Sequence, residues 1–208
     1  MINELIERYP SLISCKEEIE KTIEKIIKCY ENGGKLLICG NGGSCADADH
    51  ISGELMKGFL KKRPLSDEQV SLMQKNNPQI SDELLSKLQN PLTAIPLHPF
   101  AALSSAYAND VDPSLIYAQA VFGLGKKDDI IICISTSGNA ENVFSAANVA
   151  KALGLTVIGL TGEKGGKLKE FADICIRVPD SETFKIQEFH LPVYHCICAA
   201  VEAYFFKE

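Results

Sequence analysis

Apolar and polar residues along this chain alternate between a helical and an extended period. Across residues 14–30 the apolar positions Ile19, Ile23, Ile26, Ile27 and Tyr30 recur at helical spacing, and Asn32-Gly33-Gly34 ends the pattern. This predicts an amphipathic helix within an N-terminal segment, 1–33. Short apolar runs at 35–39, 93–97, 129–134, 156–160 and 173–178 read as strands. Helical patterns lie between them, at 44 to about 59, 99–108, 113–122 and 140–153, and a long closing helix is predicted over 182–206. Strands that are apolar throughout, each followed by a helix, indicate a parallel sheet covered on both faces. The expected fold is α/β, a three-layer sandwich with a doubly wound, flavodoxin-like sheet.

Residues 60–90 break this rhythm with polar, proline-containing sequence. Ser66-Asp67-Glu68 and Ser81-Asp82-Glu83 each resemble a helix N-cap with an acidic first turn, so one or two short helices are expected in this insertion. Inserted segments of this length serve as lids or subunit contacts as readily as surface decoration.

With 208 residues, 46% of them hydrophobic and 23% charged, the chain buries a core as a single domain spanning 1–208. A formal charge of -6 argues against nucleic acid as a partner; Lys61-Lys62-Arg63 is a short basic cluster and reads as a solvated loop. The eight cysteines lie in apolar runs or on helix faces, without a CxxC pair, and are expected to be reduced and mostly buried. Residues 1–10 carry Glu4, Glu7 and Arg8 where a signal peptide needs an apolar core, and no apolar run approaches membrane-spanning length. A cytoplasmic protein with no membrane partner is expected.

Candidate chemistry begins where the first strand ends. Gly40-Asn41-Gly42-Gly43-Ser44 leads directly into a helix, so free backbone N–H groups, the positive end of the helix dipole and the Ser44 hydroxyl suit a phosphate. The pattern is neither GxxxxGK[ST] nor GxGxxG, and no nucleotide cofactor is implied. Alone, such a turn can be a tight turn and nothing more. A second hydroxyl-rich turn, Ser135-Thr136-Ser137-Gly138-Asn139, follows the strand at 129–134, and two such turns from neighbouring strand ends make a phosphate-ester site. On the helix after the first turn, His50 and Glu54 share a face, as an acid/base pair, a metal half-site or an ordinary surface contact would. The closing helix aligns Gln187, Leu191 and His195 along nearly one face. His195 lies in an apolar run, where a buried, backbone-satisfied histidine is the alternative. Gln187 and His195 lie about 12 Å apart along an ideal helix. Sharing one ion would require leaning side chains, a bend at Pro192, or different subunits.

The motifs GNGGSCADADHISGEL, AND at 108–110, ISTSGNAENV and IQEFHLPVYH together resemble the sugar isomerase (SIS) domain family, and within it the phosphoheptose isomerases. These interconvert sedoheptulose 7-phosphate and D-glycero-D-manno-heptose 7-phosphate. The resemblance covers nearly the whole chain apart from 60–90. It implies that Asn41, Gly42, Gly43 and Ser44, with Ser135, Thr136 and Ser137, bind the sugar phosphate, and that Asn109, Asp110, Glu54 and Gln187 also contact substrate. It further implies a zinc ion on His50, Glu54, Gln187 and His195, with Glu54 and His195 as the catalytic acid/base pair, and a homotetramer with active sites at subunit interfaces. Glutamine is a poor zinc ligand, which favours an exchangeable ion over a structural one. Ala140 departs from the family pattern, standing where ISTSGNS supplies a further serine. The expected activity is aldose-ketose isomerisation through an enediol. The competing reading is a non-catalytic sugar-phosphate-binding protein of the DnaA initiator-associating type, which has no need of His50, Glu54, Gln187 and His195 together.

Overall fold

The computed structural model describes residues 1–207. Strands β1 (Leu36–Gly40), β2 (Ala94–Pro96), β3 (Ile130–Ile134), β4 (Thr156–Thr161) and β5 (Ile174–Arg177) form one sheet in the order β2-β1-β3-β4-β5, all pairs parallel. Successive strand residues point to opposite faces, and two cores divide along that alternation. Leu36 and Ile38 of β1 and Ile130, Ile132 and Ile134 of β3 face one side; Leu37, Cys39, Ile131 and Cys133 face the other. Burying each such aliphatic side chain is worth roughly 1.5–3 kcal/mol, which is why these runs lack polar residues. The first face is covered by α1 (Ile2–Arg8), α2 (Lys16–Glu31), α3 (Gly43–Met56) and α10 (Thr183–Phe205), the second by α7 (Ile116–Leu124), α8 (Glu141–Ala152) and α9 (Gly166–Phe171). This is the flavodoxin-like order, with its topological switch between β1 and β3, where ligands bind at the carboxyl ends of the strands.

Residues 60–90 contain two helices, α4 (Asp67–Asn76) and α5 (Asp82–Lys87), with the serine caps read from the sequence. Ser66 Oγ accepts the Gln69 N–H while Gln69 Oε1 accepts the Ser66 N–H, a complete capping box, and Ser81 Oγ accepts the Leu84 N–H. Helix α6 (Ala101–Asp110) follows β2. Among the described residues all eight cysteines are free, and no helix is long and apolar enough to cross a membrane.

Several expectations change. The helix predicted over 14–30 is α2, but the N-terminal segment 1–33 is not one helix: α1 and a 3-10 helix at Pro10–Cys15 precede α2, because Pro10 starts a new turn without an amide hydrogen. A six-residue helix, α9, absent from the sequence pattern, starts at Gly165 and Gly166, both at positive φ. Pro192 lies inside α10, which nevertheless runs uninterrupted through it.

Arg63 is not part of a solvated loop. It is 1% exposed and pairs with Glu202 of α10, which is fully buried. Arg63 Nε donates to Glu202 Oε1 at 2.9 Å, and its terminal nitrogens donate to the Leu55 and Glu54 carbonyls. The Glu202 carboxylate also accepts the N–H groups of Phe59, Leu60 and Lys61. Burial alone would raise this carboxyl; the Phe59 and Leu60 amides and Arg63 outweigh it and hold it below its ordinary value.

Removing one partner of a buried pair strands the other's charge. In urea unfolding, Glu202→Leu is expected to cost about 3–5 kcal/mol. Arg63→Met should cost clearly less, since the carboxylate keeps three N–H donors. Equal losses would show that the backbone amides contribute little.

Candidate functional site

Both hydroxyl-rich turns sit at the switch point. Gly42 adopts φ +56° and caps α3, whose Ser44 and Cys45 N–H groups donate to the Asn41 and Gly42 carbonyls within the turn. Gly43 lies so close to the Gln187 side-chain amide that any Cβ there would collide with it. Together with Ser135, Thr136, Ser137 and Ala140, residues Asn41–Ser44 line a cavity of about 370 Å³ that Thr183 and Gln187 close from α10. Two residues the sequence reading did not single out hold this cradle. Asn41 and Asn142 exchange amide hydrogen bonds at 2.8 and 2.9 Å, joining one turn to the helix after the other, and Tyr117 Oη donates to the Gly40 carbonyl at 2.6 Å. Asn142 lies within the ISTSGNAENV motif, so its signal was present; Tyr117 reads only as an apolar helix position.

Helices α3 and α10 run side by side in the same direction. Gly43 meets Gln187, Asp47 meets His190 and Tyr194, His50 meets Tyr194 and His195, and the residues just after α3 meet Glu202. This pairing, constant along both helices, brings together side chains 145 residues apart in sequence. His50 Nε2 lies 3.2 Å from Glu54 Oε1 and 3.4 Å from His195 Nε2. Glu54 is mostly buried, and its second oxygen stands 3.5 Å from Lys57 Nζ. His195 is only partly buried, flanked by the Phe59 ring at 5.4 Å, and burial followed by the neighbouring His50 lowers its pKa. It also lines a cavity of about 300 Å³ formed with Arg8, Phe59 and Leu191. The fully buried histidine of this helix is instead His190, 3.9 Å from Asp47 Oδ2.

Donors of a tetrahedral zinc site stand about 3.3–3.4 Å apart, given ligand distances near 2.0–2.1 Å. The His50–Glu54 and His50–His195 separations have that spacing. Among the described residues, however, no three His, Cys, Asp or Glu side chains form a group that could hold a metal ion, and Gln187 faces the phosphate cradle two turns away. Asn109 and Asp110 end α6, exposed and bonded to each other at 2.8 Å, outside both cavities.

This fold, with two hydroxyl-lined turns at its switch point, defines a SIS-domain protein, and SIS-domain family signatures match residues 3–90 and 102–205. A phosphoheptose isomerase of Helicobacter pylori (strain P12) is 35% identical over 195 residues, 94% of this chain and 88% of that protein. The phosphoheptose isomerase of Aneurinibacillus thermoaerophilus is 35% identical over 189 residues, 91% and 82% of the two chains. The solved structure of a phosphoheptose isomerase from Francisella tularensis matches with a TM-score of 0.73 at 32% identity, covering 96% of each chain. The chain belongs to the phosphoheptose isomerase family of sugar-phosphate isomerases.

Burial lowers the pKa of His190 from 6.5 to about 4 and raises that of Asp47 from 3.8 to about 6. The signs oppose. The unfolded chain protonates His190 first, so stability present above pH 6.5 is lost as pH falls towards 4; Asp47 binds its proton first in the folded state and gains stability as pH falls through 6. Comparing wild type with His190→Leu cancels the Asp47 contribution. The wild-type advantage in urea unfolding should shrink by on the order of 3 kcal/mol between pH 7 and pH 4, from a shift between 6.5 and about 4. A pH-independent difference would contradict this account.

Proposed function

We propose that this protein interconverts sedoheptulose 7-phosphate and D-glycero-D-manno-heptose 7-phosphate through an enediol, with Glu54 and His195 as the acid/base pair. The observation that carries this reading is the convergence of His50, Glu54 and His195 beside one pair of parallel helices whose other end forms the phosphate cradle. Gln187 and His195, eight residues apart, mark the two ends, about 12 Å along the helix. An extended chain advances about 1.2 Å per bond, so the eight bonds from phosphorus to C1 of an open-chain heptose 7-phosphate span about 10 Å. A pentose 5-phosphate is two bonds shorter and fits that interval less well.

In the forward direction Glu54 removes the proton from the carbon beside the carbonyl while His195 delivers one to the carbonyl oxygen, giving the enediol. The proton then returns to the former carbonyl carbon, and the other hydroxyl loses its own. Asn41–Ser44 and Ser135–Ser137 hold the phosphate through backbone N–H groups and hydroxyls, with Gln187 between them and the reacting carbons. Zinc is proposed to bind His50, Glu54 and His195; Gln187, two turns away at the cradle of the same chain, would join them only from a neighbouring subunit, and when bound the ion would polarise the carbonyl as a Lewis acid. Exposed apolar side chains, Phe122 at 66% and Leu60 at 62% among them, support assembly into a homotetramer. Asn109 and Asp110 would then complete the site of a neighbouring subunit.

Incubation with sedoheptulose 7-phosphate in D2O, followed by NMR, should show the heptose product and deuterium at C2. Glu54→Gln and His195→Asn should each lower kcat by about 10²–10⁴-fold. Unchanged turnover in Glu54→Gln would overturn the assignment of the base, and absence of product with or without added zinc would favour a binding role.

A further inference from the structure

The ring of His50 touches something on both sides. Its Nε2 faces Glu54 and His195, while its Nδ1 lies 3.0 Å from Tyr194 Oη. Tyr194 is 3% exposed, and its hydroxyl is also 3.3 Å from Asp47 Oδ1. The three groups form a chain His50–Tyr194–Asp47 across the α3–α10 interface, with the other Asp47 oxygen 3.9 Å from His190 Nδ1. The isomerisation described above makes no use of Tyr194 or Asp47.

The order of protons along this chain follows from its end. An ionised carboxylate only accepts, so Asp47 takes the one hydroxyl proton of Tyr194. The phenol, an O–H group that ordinarily ionises only at about pH 10, keeps its proton at pH 8. With that proton committed, Tyr194 Oη accepts from His50, which places the imidazole hydrogen on Nδ1. Nε2 is left with its lone pair, facing the carboxylate oxygen of Glu54 at 3.2 Å and the His195 nitrogen at 3.4 Å.

We propose that Tyr194, backed by Asp47, is a positioning residue that fixes His50 as the Nδ1–H tautomer and presents Nε2 as an acceptor to the space shared with Glu54 and His195. Two acceptors held face to face are unfavourable without a ligand between them. That arrangement prepares the site for an electrophile, either a cation or the hydroxyl proton of a sugar. The inference rests on the isomerase reading for its consequence in catalysis, but not for the tautomer itself. Left to its local contacts His50 would do the opposite, since Nε2–H could donate directly to Glu54.

The test is histidine ¹⁵N NMR on the chelator-treated full chain at pH 8, with the His50 signal assigned by its loss in His50→Gln; the chain has four histidines. Wild type should show His50 protonated at Nδ1 alone. An Nε2–H tautomer or a doubly protonated ring would overturn the proposal, and the deciding spectrum is that of the wild-type chain, the variant serving only for assignment. Asp47→Ala frees the phenol proton to point at His50 and should move the ring to Nε2–H. Tyr194→Phe should lose the Nδ1–H preference and lower kcat about 10–100-fold, with KM for sedoheptulose 7-phosphate within about twofold. A merely structural tyrosine would lower Tm in that variant while leaving the ¹⁵N pattern and kcat as in wild type, which overturns the proposal. Absence of turnover in the wild-type protein would count against the isomerase reading, while the tautomer result would still decide the inference.

Discussion

The parallel packing of α3 on α10 is the constraint from which the site follows. Parallel neighbours keep a constant pairing along their length, so a contact fixed at one place fixes the others. Two contacts set this pairing. At the start of α3 the absence of a side chain at Gly43 lets Gln187 lie against the backbone. Just past its end the buried Glu202 carboxylate gathers the amides of Phe59, Leu60 and Lys61 together with Arg63. A slip of one residue would break that cluster and leave a buried charge without its donors, a cost of several kcal/mol. Between the two anchors, His50 has no choice but to meet Tyr194 and His195. Arg63 also donates to the carbonyls of Glu54 and Leu55, so the same pair fixes the last turn of α3, which carries the proposed base.

The sheet decides what lies at the front of those helices. In the order β2-β1-β3-β4-β5 the connections from β1 and β3 leave on opposite faces, opening a crevice between their carboxyl ends. Both hydroxyl-rich turns occupy that crevice, and the Asn41–Asn142 amide pair closes it from the α8 side. The cradle therefore belongs to the sheet and the reactive groups to the helix pair. Gln187 touches both, lining the cradle while packed on Gly43.

Much of this was legible because it rests on local pattern. The strands were readable as short apolar runs, β1 and β3 most clearly because both are fully buried and carry no polar residue, and the caps at Ser66 and Ser81 because their chemistry is complete within four residues. His50 and Glu54 could be placed on one face from helical spacing alone. What stayed hidden depends on pairing between distant segments. Nothing near Arg63 distinguishes it from Lys61 and Lys62; its burial is decided by Glu202, 139 residues away. Tyr194 looks like one more apolar residue of α10 until the helix pairing brings Asp47 and His50 to its hydroxyl. A buried histidine was only the alternative reading of His195, which is partly buried. The sequence pattern cannot tell which of two histidines five residues apart points inward, and it is His190 that does.

The cradle's composition bears on how tightly it can hold a phosphate. Among the described residues that line it there is no lysine or arginine. On the proposed reading, binding would rest on those N–H groups not already bonded within the turns and on the hydroxyls of Ser44, Ser135, Thr136 and Ser137, in a chain whose formal charge is already -6. Helix-terminus interactions are each worth about 0.3–1 kcal/mol at the surface and somewhat more when partly buried, so every hydroxyl carries a larger share than it would beside a cation. Ala140 at the mouth of α8 consequently matters more here than in a lysine-lined site. If it takes the phosphate as proposed, a cradle of dipoles would anchor one end of the sugar and still let substrate and product exchange. The geometric demand falls on the other end, where His50, Glu54 and His195 are held by packing and not by the ligand.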